Sequence, residues 1–163
     1  MSAENKKIER KYLAHFIDAG FGGATPSYVR LGKDLEEYNV EMNPDSETIK
    51  NIWGENSTNV KGYDVSSSVD TYYAREGDAL FTKLHDIINK RSTGSDLETT
   101  VVDVLLSENG TVVSAYRENA VVIPQSLGGD NAGVQIPFEV HYNGDRTEGT
   151  WNIDTKTFTE ATE

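Results

Sequence analysis

Residues 97–124, LETTVVDVLLSENGTVVSAYRENAVVIP, hold two long runs of Val, Leu, Thr and Ile on either side of Asn109-Gly110. Asn-Gly readily takes the positive φ angles of a two-residue turn, and β-branched side chains suit a pleated, half-buried surface. A chain with this stretch in its second half is committed to a long antiparallel hairpin. Residues 134–154, VQIPFEVHYNGDRTEGTWNID, carry the same dipeptide at Asn143-Gly144 and predict a second hairpin. Residues 155–160 predict a last strand, so the second half reads as β.

One segment has helical spacing instead. Within 77–94, Leu80, Leu84, Ile87 and Ile88 fall at i, i+4, i+7 and i+8, a single apolar stripe. Asp78 stands where an N-cap belongs, and Lys90 and Arg91 occupy the last turn, where the helix dipole favours cations. This predicts a helix over 78–91 that lays its stripe on a sheet. Ahead of it, 8–18 reads as a strand or a helical turn, 20–26 as a loop, and 28–32 as a short strand. Residues 35–42 alternate so that Tyr38, Val40 and Met42 share a strand face; 46–53 and 65–74 are further strand candidates. The fold class that follows is mainly β with one α-helix: an antiparallel β-sandwich or barrel with a flanking helix.

The chain's 163 residues suffice for one domain, 1–163, with its own core. No apolar run approaches the roughly 18 residues of a spanning helix, and the first residues carry no apolar signal segment. There are no cysteines, which excludes disulfides and thiolate chemistry. Net charge is −12, from 27 acidic against 15 basic residues. Nucleic-acid binding needs the opposite balance, because cations on phosphates supply most of the affinity.

Motif chemistry is sparse. His15, His85 and His141 lie far apart, without metal spacing. Gly20, Gly22 and Gly23 resemble a phosphate loop, but Pro26 follows and no helix opens there. Adjacent Glu36 and Glu37 read as a solvated face in so acidic a chain. No catalytic residue, cofactor or metal is expected, and the chain does not read as an enzyme.

Residues 43–77 raise a different question. They are mostly polar, yet carry Ile49, Ile52, Trp53, Val60, Tyr63, Val65, Val69, Tyr72 and Tyr73 at intervals. Long irregular segments within compact domains are usually functional. These side chains either cover the domain's own sheet or belong to an arm that a neighbouring copy buries, since exposed strand edges invite pairing.

The residues also resemble a known family, the tail tube (major tail) proteins of long-tailed bacteriophages. The resemblance runs through YLAHFID at 12–18, RLGKDLE at 30–36, NPD at 43–45, NIWGEN at 51–56, Tyr72-Tyr73, the helix, and NAVVIP at 119–124. Trp53 departs from it, standing where the pattern has a smaller aliphatic residue. The resemblance implies a β-sandwich or barrel with one flanking helix, and an extended arm over about 43–71. It implies homohexameric rings that stack into a hollow tube conducting genomic DNA without specific binding, in a virion tail made in the host cytoplasm. Tape measure, distal tail and terminator proteins are the further partners it implies; no membrane is involved. Ile49, Ile52, Trp53, Val60, Tyr63 and Val65 are then the expected inter-subunit contacts. The inner tube of a contractile tail, a tail-like bacteriocin or a type VI secretion apparatus is the near alternative. A monomeric β-sandwich ligand-binding module is the alternative from another class.

Overall fold

The computed structural model describes residues 6–33 and 35–161. Position 34, within the RLGKDLE stretch, and the first residues of the segment read for a signal lie outside these. After a 3-10 turn at Arg10–Tyr12 come β1 (Leu13–Asp18), β2 (Tyr28–Leu31), β3 (Val40–Glu41), β4 (Pro44–Lys50), β5 (Asn56–Tyr63) and β6 (Ser66–Val69). Then follow α1 (Ala79–Lys90), β7 (Glu98–Leu106), β8 (Val112–Pro124), β9 (Gly128–Asp130), β10 (Gly133–Gln135), β11 (Phe138–Asn152) and β12 (Thr157–Glu160). The main sheet runs β2-β1-β7-β8-β11-β6-β3, antiparallel throughout, with β12 added to β11. It curls into a half-barrel. β9 and β10 form a small separate hairpin, as do β4 and β5.

Alternation places the core on both faces of the sheet. On one face, Ile17, Val101, Val122, Val140 and Phe138 pack with Leu80 and Leu84 of α1. The helix is built as its sequence dictates. Asp78 caps it by accepting the Leu80 N–H at 3.0 Å, Leu80, Leu84 and Ile87 are buried, and Arg91 closes it in the left-handed region. On the other face, Ala14, Phe16, Tyr28, Val102, Val104 and Ala115 surround Trp151. Trp151 lies 4.4 Å from the Phe16 ring and 5.4 Å from that of Tyr28. Because β7 and β8 stand between β1 and β11, only a curled sheet can bring these rings together.

The chain turns between β7 and β8 as the expected hairpin, but through 107–111 and not a two-residue turn. The Gly110 N–H donates to the Ser107 carbonyl at 3.0 Å, and of the Asn-Gly pair only Gly110 has a positive φ, +87°. Asn143-Gly144 does not form a hairpin. β11 runs straight through it, pairing with β8 both before (His141↔Val121) and after (Glu148↔Tyr116). The register shifts on either side of Gly144, whose φ is +100°, with Asp145 at +57°. Positive φ serves a bulge as well as a turn, and a bulge bends and twists its strand. Here it steers the end of β11, with Trp151, over the second face. The chain reverses instead at 153–156, before β12.

The strand expected at 35–42 shrinks to Val40–Glu41. Tyr38 is buried, but its carbonyl accepts from the Arg10 guanidinium at 3.0 Å instead of joining a ladder, and Met42 is exposed. The extended arm expected over about 43–71 is divided. Its β4–β5 portion projects, while β6 returns to the sheet, where Val69 is fully buried.

Candidate assembly interface

β4 and β5 pair only with each other, from Pro44↔Tyr63 at the base to Lys50↔Asn56 at the end. Nearly every residue of the two strands is exposed. The composition explains why this is a hairpin outside the core: each face mixes Thr, Ser, Asn and charged residues with one aliphatic. Ile49 and Val60 lie on opposite faces by register, so neither face is apolar enough to fold back on the sheet. Local bonds hold it together. The Thr48 and Thr58 hydroxyls meet at 3.1 Å and Lys61 pairs with Glu47 at 3.1 Å. At the base, the Asn43 amide donates to the Asp64 carbonyl at 3.0 Å.

The tip is a defined turn. The Gly54 N–H donates to the Asn51 carbonyl at 3.0 Å, and the Asn51 side chain accepts the N–H groups of Trp53 at 2.9 Å and Glu55 at 3.0 Å. Gly54 sits at φ +84°, which a Cβ-bearing residue adopts only at a steric cost. This geometry pushes the two residues between Asn51 and Gly54 outward: Ile52 is 99% exposed and Trp53 80%. Ile49, Val60 and Tyr63 are exposed along the same hairpin. Val65 is placed differently, half-buried against the domain's own core beyond the base of the hairpin. Five of the six expected contact residues therefore share one projecting element, and the sixth lies in the body.

Two features were not visible in the sequence. The first is a polar network buried under the sheet's helix-covered face. His15 Nδ1 lies 2.7 Å from Asp103, and its Nε2 lies 3.1 Å from the Arg10 guanidinium. Arginine can only donate, so Nε2 accepts and the Nδ1–H faces Asp103. Arg146 approaches Asp103 at 3.6 Å and bonds Glu118 at 3.1 Å, and the second Glu118 oxygen accepts the Gly144 N–H at 3.2 Å. The network thus ties the bulge of β11 to β1, β7 and β8. Beside it the buried Tyr142 hydroxyl has no hydrogen-bond partner among the described residues, and burial raises its pKa. The charged groups of the network are satisfied by one another, which marks them as structural.

The second is a groove of about 420 Å³ beside β1 and β2. Leu13, Leu31 and Tyr38 line it together with Arg10, Arg30 and Lys33. Its residues come from the first strands and the 32–38 connection, so proximity in sequence hides the fact that they enclose a space.

The described architecture is mostly β, with one helix and a curled antiparallel sheet, and it is shared by components of contractile tail-like particles. The chain is similar to the sheath/tube terminator of an extracellular contractile injection system, PVC, in its extended state, with a TM-score of 0.57 and 11% identity over 91% of this chain and 100% of that one. It is similar to the tube-terminating cap of the anti-feeding prophage, with a TM-score of 0.55 and 13% identity over 92% and 95% of the two chains. A chain of that prophage's six-fold symmetrised baseplate matches with a TM-score of 0.50 and 15% identity, over 91% and 97%. No protein-family model matches the chain, and no curated protein matches it in sequence.

Proposed function

We propose that the chain is a structural subunit of a phage tail-type tube, in which hexameric rings stack around a channel that conducts DNA. The observation that carries this reading is the fold. Nine tenths of the chain follows the architecture of tail-like particle components, with nearly the whole of each neighbour covered in return. The projecting hairpin supports self-assembly, because an exposed Trp is the residue type most enriched where binding energy concentrates. Net charge −12 suits a conduit: like-charge repulsion keeps a duplex off the wall, whereas a basic wall would hold phosphates. On this reading the tape measure, distal tail and terminator proteins are its partners, and the virion tail is its location.

A second reading is favoured by what two of the neighbours are, a terminator and a terminating cap. A tube-ending protein closes one ring and stops; a tube subunit goes on stacking. Sedimentation velocity over a concentration series separates the two. A tube subunit gives species that grow without limit as concentration rises, and an end protein gives a single ring. A monomer at every concentration overturns both.

A further inference from the structure

We propose that the 52–55 tip of one copy docks in the groove beside β1 and β2 of the next copy; this rests on the reading of the chain as self-assembling through its arm. The tip offers two apolar side chains, Ile52 and Trp53, with Lys50 on one flank and Glu55 on the other. The groove offers an apolar floor in Leu13, Leu31 and Tyr38, cations at Arg30 and Lys33, and carboxylates at Glu36 and Glu37. Among the described residues, none of Lys50, Glu55, Arg30, Lys33, Glu36 and Glu37 belongs to an ion pair. The two surfaces therefore match in three respects: apolar against apolar, Glu55 with the two cations, and Lys50 with the two glutamates. The indole face of Trp53 also accepts a guanidinium favourably.

The other large grooves match less well. The one beside the end of α1 has a single cation, Arg91, and no carboxylate, so it offers Lys50 no partner. In the one beside the N-terminal segment, Lys6 is already paired with Glu108 at 2.6 Å. Docking must join different copies. Within one chain Ile52 and Trp53 are almost fully exposed, so the tip does not occupy its own groove. Tip and groove are different patches, so the contact is head-to-tail and closes a ring or extends a stack.

The test uses the full chain and its charge-reversed variants Glu55→Lys, Arg30→Glu with Lys33→Glu, and all three together, followed by sedimentation. All these side chains are exposed, and circular dichroism confirms the fold of each variant. Reversal on either side alone should raise the concentration needed for assembly at least tenfold, and the combination should restore much of it. Because the chain has no cysteine, Lys33→Cys with Glu55→Cys provides an independent measurement. Oxidised glutathione should then produce a covalent ladder, where each single variant gives at most a dimer. Groove variants that assemble like wild type, with no ladder, overturn this docking site; if Trp53→Ala still abolishes assembly, the arm reading stands. If Trp53→Ala also assembles like wild type, both fall.

Discussion

Trp53 and Tyr142 show how far a single residue can be read. A solvent-facing indole held by an Asn51-capped turn contributes little to the fold, since surface substitutions usually shift stability by no more than about 0.5 kcal/mol. Trp53→Ala should leave the thermal midpoint unchanged and weaken assembly by on the order of 2 kcal/mol, as interface anchors do. A melt and a sedimentation series on the same sample check both. Tyr142 is the converse. Its buried hydroxyl is unpartnered among the described residues, so Tyr142→Phe should match or exceed wild-type stability by about 1 kcal/mol in a urea titration. Trp53 stood out in sequence because its neighbours are polar. Nothing in HYNGD announces that Tyr142 is buried against a polar network drawn from Arg10, His15, Asp103, Glu118 and Arg146.

At the scale of elements, legibility followed whether a signal was local. The stripe and cap of α1 and the hairpin signal at Asn109-Gly110 are local, and the helix and the hairpin both form. Asn143-Gly144 looks the same locally but has a different outcome, because β8 continues far enough to pair beyond it. That choice is made by the partner strand, and no reading of 134–154 alone contains it. The arm was legible as unusual, but not as a hairpin: its apolar residues sit at odd intervals and on opposite faces. Two predictions belong here. Replacing 45–62 by a short Gly linker should leave the circular dichroism spectrum of the body intact and block polymerisation, because the hairpin pairs with nothing else. The cut stops short of β6, whose removal would open the main sheet. Asp78→Ala removes the cap of α1 and the acceptor of the Tyr72 hydroxyl, and should lower stability by about 1–2 kcal/mol in urea unfolding.

For the whole molecule, four tyrosines set an alkaline limit. Burial, the largest cause in each case, raises the hydroxyl pKa of Tyr28, Tyr38, Tyr72 and Tyr142 above the ordinary 10.0. A raised folded pKa means full stability below the unfolded value and loss above it, as the unfolded chain releases protons that the folded one keeps. The urea midpoint should therefore hold to about pH 9 and fall steeply above about pH 10. A midpoint that holds to about pH 12 would contradict the burial of these hydroxyls.

On the proposed reading, the half-barrel, its two-faced core and the β4–β5 hairpin belong to a part that repeats. Negative-stain electron microscopy of the purified chain at high concentration tests that claim most directly. Hollow tubes with six-fold end views are the expected result. Isolated monomers in every field, at every concentration tried, would contradict it.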